Sequence, residues 1–142
     1  MGFVEQSIKK IKTAGGRLTT SKKRILKALE GISVPLNSNQ LAKEIEKNGD
    51  KIDAVTVYRV LKTFKELKIV HHFENGFIPC EHLSCENHEH SHHYFSCNKC
   101  KEVKDLHIED EKFLNLIKNK FKSIEITSHE FKFNGVCNEC IN

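Results

Sequence analysis

Two short motifs, Cys97-Asn98-Lys99-Cys100 and Cys137-Asn138-Glu139-Cys140, carry the clearest chemistry in this 142-residue chain. A Cys-x-x-Cys pair can hold one metal ion through a tight turn, and two such pairs supply the four thiolates of a closed tetrahedral zinc site. The 36 residues between Cys100 and Cys137 are too many for a zinc knuckle. They suffice for a helix, expected near 109–121, and a strand, expected near 125–133. A four-sulfur site leaves no position open for water or substrate, so one structural zinc per chain is expected.

A second concentration of ligands lies just upstream. The stretch CEHLSCENHEHSHHYFSC, Cys80 to Cys97, holds three cysteines and five histidines in eighteen residues. Cys80, Cys85 and these histidines are surplus to the four-sulfur site. They point to a second, less closed metal site in which individual histidines such as His82, His88 or His107 need have no part.

The elements that must position these ligands follow from charge and periodicity. Residues 1–68 carry 15 Lys/Arg against 7 Asp/Glu, whereas residues 69–142 carry 8 against 12. The halves therefore have opposite sign and different duties. No acid interrupts the window between Glu5 and Glu30, which contains eight basic residues, the footprint of a phosphate-binding surface. Thr20 and Ser21 start a short helix containing Ile25, Leu26 and Leu29, with Gly31 as its stop. Asn37 or Ser38 caps a second, with Leu41, Ala42 and Ile45 as its buried stripe. Asp53 caps a third, in which Val57, Val60, Leu61 and Phe64 form one apolar face and Val55, Arg59 and Lys62 the opposite one.

Three helices followed by IVHHF, a turn at Glu74-Asn75-Gly76, and FIPC make a winged helix-turn-helix pattern. In that fold the last helix enters the major groove by its N-terminal turns, bringing Thr56, Tyr58 and Arg59 near bases and phosphates. The fold class is thus α+β, with a winged-helix domain over 1–80, a His-rich hinge over 81–91 and a small zinc-bearing α/β domain over 92–142. No run of eighteen apolar residues is present, so no membrane partner is expected, and six cysteines in metal-ligand spacing suit the reducing cytoplasm.

The chain resembles the ferric uptake regulator family of metal-dependent repressors. The likeness rests on RLTTSKKRIL, TVYRVL, the wing, the His-rich segment before the first CxxC, and the FNGVCNEC ending. It implies a C-terminal domain that dimerises, and a homodimer that binds inverted-repeat double-stranded DNA operators when its sensing metal is present. By that resemblance Arg17 reaches toward the minor groove, Thr19 and Lys22 lie in the DNA-facing entry, and Tyr58 and Arg59 contact the operator. Within the family the zinc uptake regulator branch is similar in having His71 in the wing and Cys80 at its end. The implied sensing site is His71, Cys80, His90 and Asp105, with His92 the rival for the third place. A third site would map to His93, Glu111 and His129, with Glu109 close by. Thiolate, imidazole and carboxylate together favour regulatory Zn2+, one ion or more per chain, over Fe2+ or Mn2+. Many iron and peroxide sensors of the family carry histidines where Pro35 and Tyr94 stand here.

Two other classes are consistent with fewer of these features. A zinc deaminase needs HxE followed by PCxxC; His72-Phe73-Glu74 and Pro79-Cys80 imitate it, but the next cysteine is Cys85, four residues on rather than two. A zinc store suits the His-rich loop but has no use for TVYR on a basic helix.

Overall fold

Apolar residues spaced three and four apart build the first of two compact units, Met1–Glu86 and Asn87–Asn142. The computed structural model describes residues 2–83, 93–106, 108 and 110–141. Helix α1 (Phe3–Thr13) was not expected from the sequence, yet it buries Ser7 and Ile11 completely, with Phe3, Val4 and Ile8 packed beside them. Its lysines alternate with the apolar residues and mask a stripe with helical period.

The other three helices follow their caps. The Thr19 side chain accepts from the Lys22 N–H and opens α2 (Thr20–Leu29). Asn37 and Gln40 exchange a capping box at α3 (Ser38–Lys47), with contacts of 2.8 and 2.9 Å, and Asn48-Gly49 ends it with Gly49 at φ +91°. Asp53 accepts from the Thr56 N–H at 2.8 Å and opens α4 (Ala54–Glu66). Ile25, Leu29, Leu41, Val57, Leu61 and Phe64 are fully buried between these helices. Each contributes about 1.5–3 kcal/mol through removal of its side chain from water. Lys10 donates to the carbonyl of Leu67 at 3.2 Å, so α1 also closes the C-terminal end of α4.

The wing is an antiparallel hairpin of β1 (Val70–Phe73) and β2 (Gly76–Pro79), with Val70 opposite Pro79 and Phe73 opposite Gly76. Gly76 is therefore a strand residue, and the two-residue turn is Glu74-Asn75, with Glu74 at φ +52°. Its glycine identity comes from a close approach: a Cβ there would lie 2.7 Å from the Pro35 carbonyl carbon and 2.8 Å from the Leu36 nitrogen. Leu36 and Phe77 exchange backbone bonds of 3.1 and 2.8 Å, which pins the 35–36 segment across the hairpin. Gly76→Ala is expected to destabilise the first unit by about 1–3 kcal/mol, the usual cost of overpacking. A lowered urea midpoint would register it.

In the second unit β3 (His93–Cys97) lies between β4 (Val103–Leu106), antiparallel, and β5 (Lys132–Gly135), parallel. Helix α5 (Glu111–Lys120) falls inside the expected 109–121, and the short α6 (Asn138–Ile141) follows. The strand expected over 125–133 is corrected to 132–135. The pairing of this segment with β3 begins only at Lys132, opposite Tyr94. No residue of α5 is buried, and Phe113, Leu116, Phe121 and Phe133 are exposed. No helix among the described residues is long and apolar enough to cross a membrane.

Candidate metal centres and the exposed face of α4

The β3–β5 register decides the first centre. Cys97 pairs with Gly135, the Asn98 N–H donates to the Gly135 carbonyl at 2.8 Å, and the two Cys-x-x-Cys turns are thereby brought to the same end of the sheet. The four sulfurs of Cys97, Cys100, Cys137 and Cys140 all lie within 4.8 Å of one another. Cys100 and Cys137 are 3.8 Å apart, which matches the edge of a tetrahedron with arms of about 2.3 Å, the zinc–sulfur distance. Lys101, at φ +66°, completes the first turn, and Lys99 donates to the Cys140 carbonyl at 3.2 Å.

The electrostatics of the sulfurs call for a cation. Backbone N–H groups of Cys137 and then Cys100 donate to Cys97 and lower its pKa to about 6. Cys140 is pushed up to about 12, first by the neighbouring Cys137 sulfur and then by burial. One thiolate is thus favoured and another resisted, because successive anions repel within a few ångströms. A bound divalent ion supplies the missing charge and makes all four sulfurs thiolates. These residues fit zinc and would hold it without an open position.

A second group lies elsewhere in the same unit: His93, Asp110 and His129, with ligand atoms within 4.8 Å of one another. The acid between the imidazoles is Asp110, in place of the expected Glu111, which begins α5 and is exposed. His93 is fully buried, and its Nε2 lies 2.9 Å from Asp110 Oδ2, which also bonds His129 Nε2. Those bonds, His129 first and then His93, lower the Asp110 pKa to about 2. The Phe131 N–H donates to His93 Nδ1 at 3.0 Å. A neutral His93 therefore carries its proton on Nε2, pointed at Asp110. An ion entering through that nitrogen would displace the proton, as at any histidine ligand, so the three side chains could hold either a proton or a metal.

The wing carries two of the expected sensing ligands. The Cys80 N–H donates to the Ile69 carbonyl at 2.9 Å, extending the β1–β2 ladder by one pair. His71 and Cys80 are then diagonal neighbours on one face of the hairpin. Cys80 is 5% exposed, and the Nε2 of His71 is buried. Asp105 lies on β4, opposite Tyr94. His90, His92 and Cys85 lie outside the described residues, as do His88, His107 and Glu109.

On α4, Val55, Tyr58 and Arg59 are exposed. Arg17 is likewise exposed, and its carbonyl accepts from Lys22 Nζ at 2.7 Å. Thr19, Lys22 and Thr56 therefore each serve the local structure, as a helix cap, a loop tie and a partner of Asp53 respectively.

Known proteins share this architecture. A structure of a zinc uptake regulator complexed with zinc and DNA superposes with a TM-score of 0.79 at 21% identity, over 97% of this chain and 92% of that one. The ferric uptake regulator of Vibrio cholerae superposes with a TM-score of 0.63 at 29% identity, over 89% of this chain and 96% of that one. The peroxide-responsive repressor PerR of Staphylococcus epidermidis is 23% identical over 137 residues, 96% of this chain and 89% of PerR. The sequence model of the ferric uptake regulator family matches residues 13–134, and with a winged helix and a clustered four-cysteine site in place the chain belongs to that family, as a metal-responsive DNA-binding repressor and not an enzyme.

Proposed function

We propose that the chain is a zinc-sensing repressor of genes for zinc acquisition, with a regulatory zinc held by His71, Cys80, Asp105 and His90, or His92 in place of the last. The observation that carries the proposal is the shared hairpin face of His71 and Cys80, with a buried thiol diagonal to an imidazole, in the unit whose α4 exposes Tyr58 and Arg59. A thiolate with imidazoles and a carboxylate selects zinc over iron or manganese, whose sites favour nitrogen and oxygen. The zinc- and DNA-bound structural relative supports the same choice. The cysteine centre takes a separate, permanent zinc, and the His93 triad has a subordinate role.

The working species is a homodimer on an inverted repeat. Support comes from the exposed apolar side chains of the second unit, Phe113, Leu116, Phe121 and Phe133, which a partner copy would cover. Two copies of α4 then meet half-sites about one or two helical turns apart. Filling of the regulatory site is the event coupled to operator affinity.

Cys80→Ser tests the proposal. A ligand contributes more than its outer-shell partners, whose loss costs about 10–100-fold in metal affinity, so a larger loss of regulatory zinc affinity is expected. The variant should keep one zinc per chain in the four-sulfur site. Binding is measured on duplexes selected from a random pool, across buffered zinc, iron(II) and manganese(II). Zinc-dependent affinity that Cys80→Ser removes supports the proposal. Affinity indifferent to zinc but responsive to iron or manganese replaces the signal and keeps the family role.

A further inference from the structure

The first turn of α4 presents a side chain that the fold does not need. Val55 is 60% exposed, and Tyr58, one turn on along the same face, is 54% exposed. A β-branched residue on an open helix surface is a poorer helix former than alanine, and Val55 contributes nothing to the buried stripe of Val57, Leu61 and Phe64. The hydroxyl beside it is already committed: Thr56 Oγ1 donates to Asp53 Oδ2 at 2.8 Å, while the Thr56 N–H donates to Asp53 Oδ1 at 2.8 Å. The hydrogen of that hydroxyl is directed back at the cap. Ahead of Tyr58 and Arg59, the turn therefore offers a branched apolar surface.

What meets such a surface is set by the charge around it. Arg59 and Lys62 are exposed on the same helix, and the unit as a whole is basic, so the partner is a polyanion. In the major groove of a duplex the apolar group that projects as a contact surface is the 5-methyl of thymine. We infer that Val55 is a base-reading residue that packs on a thymine 5-methyl group in each half-site, with Asp53 holding the Thr56 hydroxyl out of the contact. The inference rests on the DNA-binding role proposed above and adds to it a specificity that no hydrogen bond provides. Tyr58 lies beside Val55, and Arg59 supplies the donors for the neighbouring base or phosphate.

Replacing thymine by deoxyuridine removes that methyl alone and leaves every hydrogen-bonding atom of the base. The experiment selects duplexes from a random pool with the zinc-loaded full-length chain, then scans each thymine of the selected site to deoxyuridine, using the wild type and Val55→Ala. Val55→Ala should fold normally, because the position is exposed and alanine suits the helix. At one thymine per half-site, deoxyuridine should weaken wild-type binding about fourfold, the value of one buried methyl-sized group. Val55→Ala, which both protomers carry, should start weaker by that factor squared, roughly sixteenfold, and lose nothing further at that thymine. Equal sensitivity of both proteins at every thymine would overturn the assignment while leaving the repressor role intact. If the wild type selects no duplex at any metal concentration, the repressor role itself falls, and this assignment with it.

Discussion

Replacing Cys137 with serine is expected to unfold the second unit and leave the first folded. The buried hydrophobic cluster of the chain, from Ile11 to Leu83, belongs to the first unit. Among the described residues of the second, the fully or nearly buried side chains are few: His93, Tyr94, Ser96, Cys97, Val103 and Cys137. Helix α5 buries none. Such a unit resembles small metal-dependent domains, in which the binding free energy of the ion is the folding free energy. Structural zinc supplies about 10–16 kcal/mol at neutral pH, against about 5–15 kcal/mol for the whole stability of an ordinary domain. Loss of one thiolate from a set within 4.8 Å removes the closed site, and the β3–β5 pairing that ends at Cys97 and Gly135 loses its clamp. Hydrogen exchange should show residues 93–135 unprotected and α2 to α4 still protected. A strong chelator should give the same pattern. Retained protection of β3 and β5 in metal-free protein would mean that the sheet stands without zinc.

Acid should reproduce this loss, and its direction follows from the sulfurs. The Cys97 pKa is depressed from 9.0 to about 6, so its stabilising effect is full above the unfolded value and disappears as pH falls through the folded one. Protons also compete with zinc for every thiolate. The raised pKa of Cys140 acts in the same sense for metal binding, because that thiol must give up a tightly held proton to become a ligand.

What could be read from the residues alone was whatever local chemistry decides. Asn37 and Asp53 cap α3 and α4 as their types require, and Thr19, one residue before the expected Thr20, caps α2. The Cys-x-x-Cys pairs announce their site because each chelate is closed within four residues; only the sheet register that joins them is non-local. Helix α1 was hidden by lysines interleaved with its apolar stripe. Residues 125–131 hold the apolar Ile126 and Phe131 on opposite faces of an extended chain, and the apolar alternation of Phe131-Lys132-Phe133 leads into the strand that forms. Asp110 could not be chosen from sequence, since it stands between Glu109 and Glu111 and the choice depends on where His93 and His129 meet. The His93 tautomer depends on the Phe131 N–H, a backbone group with no signature in the sequence.

Charge reversal at Arg59 is expected to abolish operator binding without disturbing either class of metal site. Arg59 is exposed on α4, next to Tyr58, and its side chain takes no part in the buried stripe that holds the helix in place. Folding should therefore be indifferent to Arg59→Glu. DNA is not indifferent: losing one arginine contact costs about 1–3 kcal/mol, and the new carboxylate adds repulsion from phosphates. A dimer carries the change twice, so the expected loss is about 30-fold at the least and about 1,000-fold or more where the contacts are strong. Anisotropy titrations at two salt concentrations separate the causes, because a lost phosphate contact flattens the salt dependence whereas a lost base contact does not. Zinc per chain, measured in parallel, should equal the wild-type value before and after graded chelation. If Arg59→Glu binds the selected duplex as tightly as the wild type, α4 is not the helix that meets DNA.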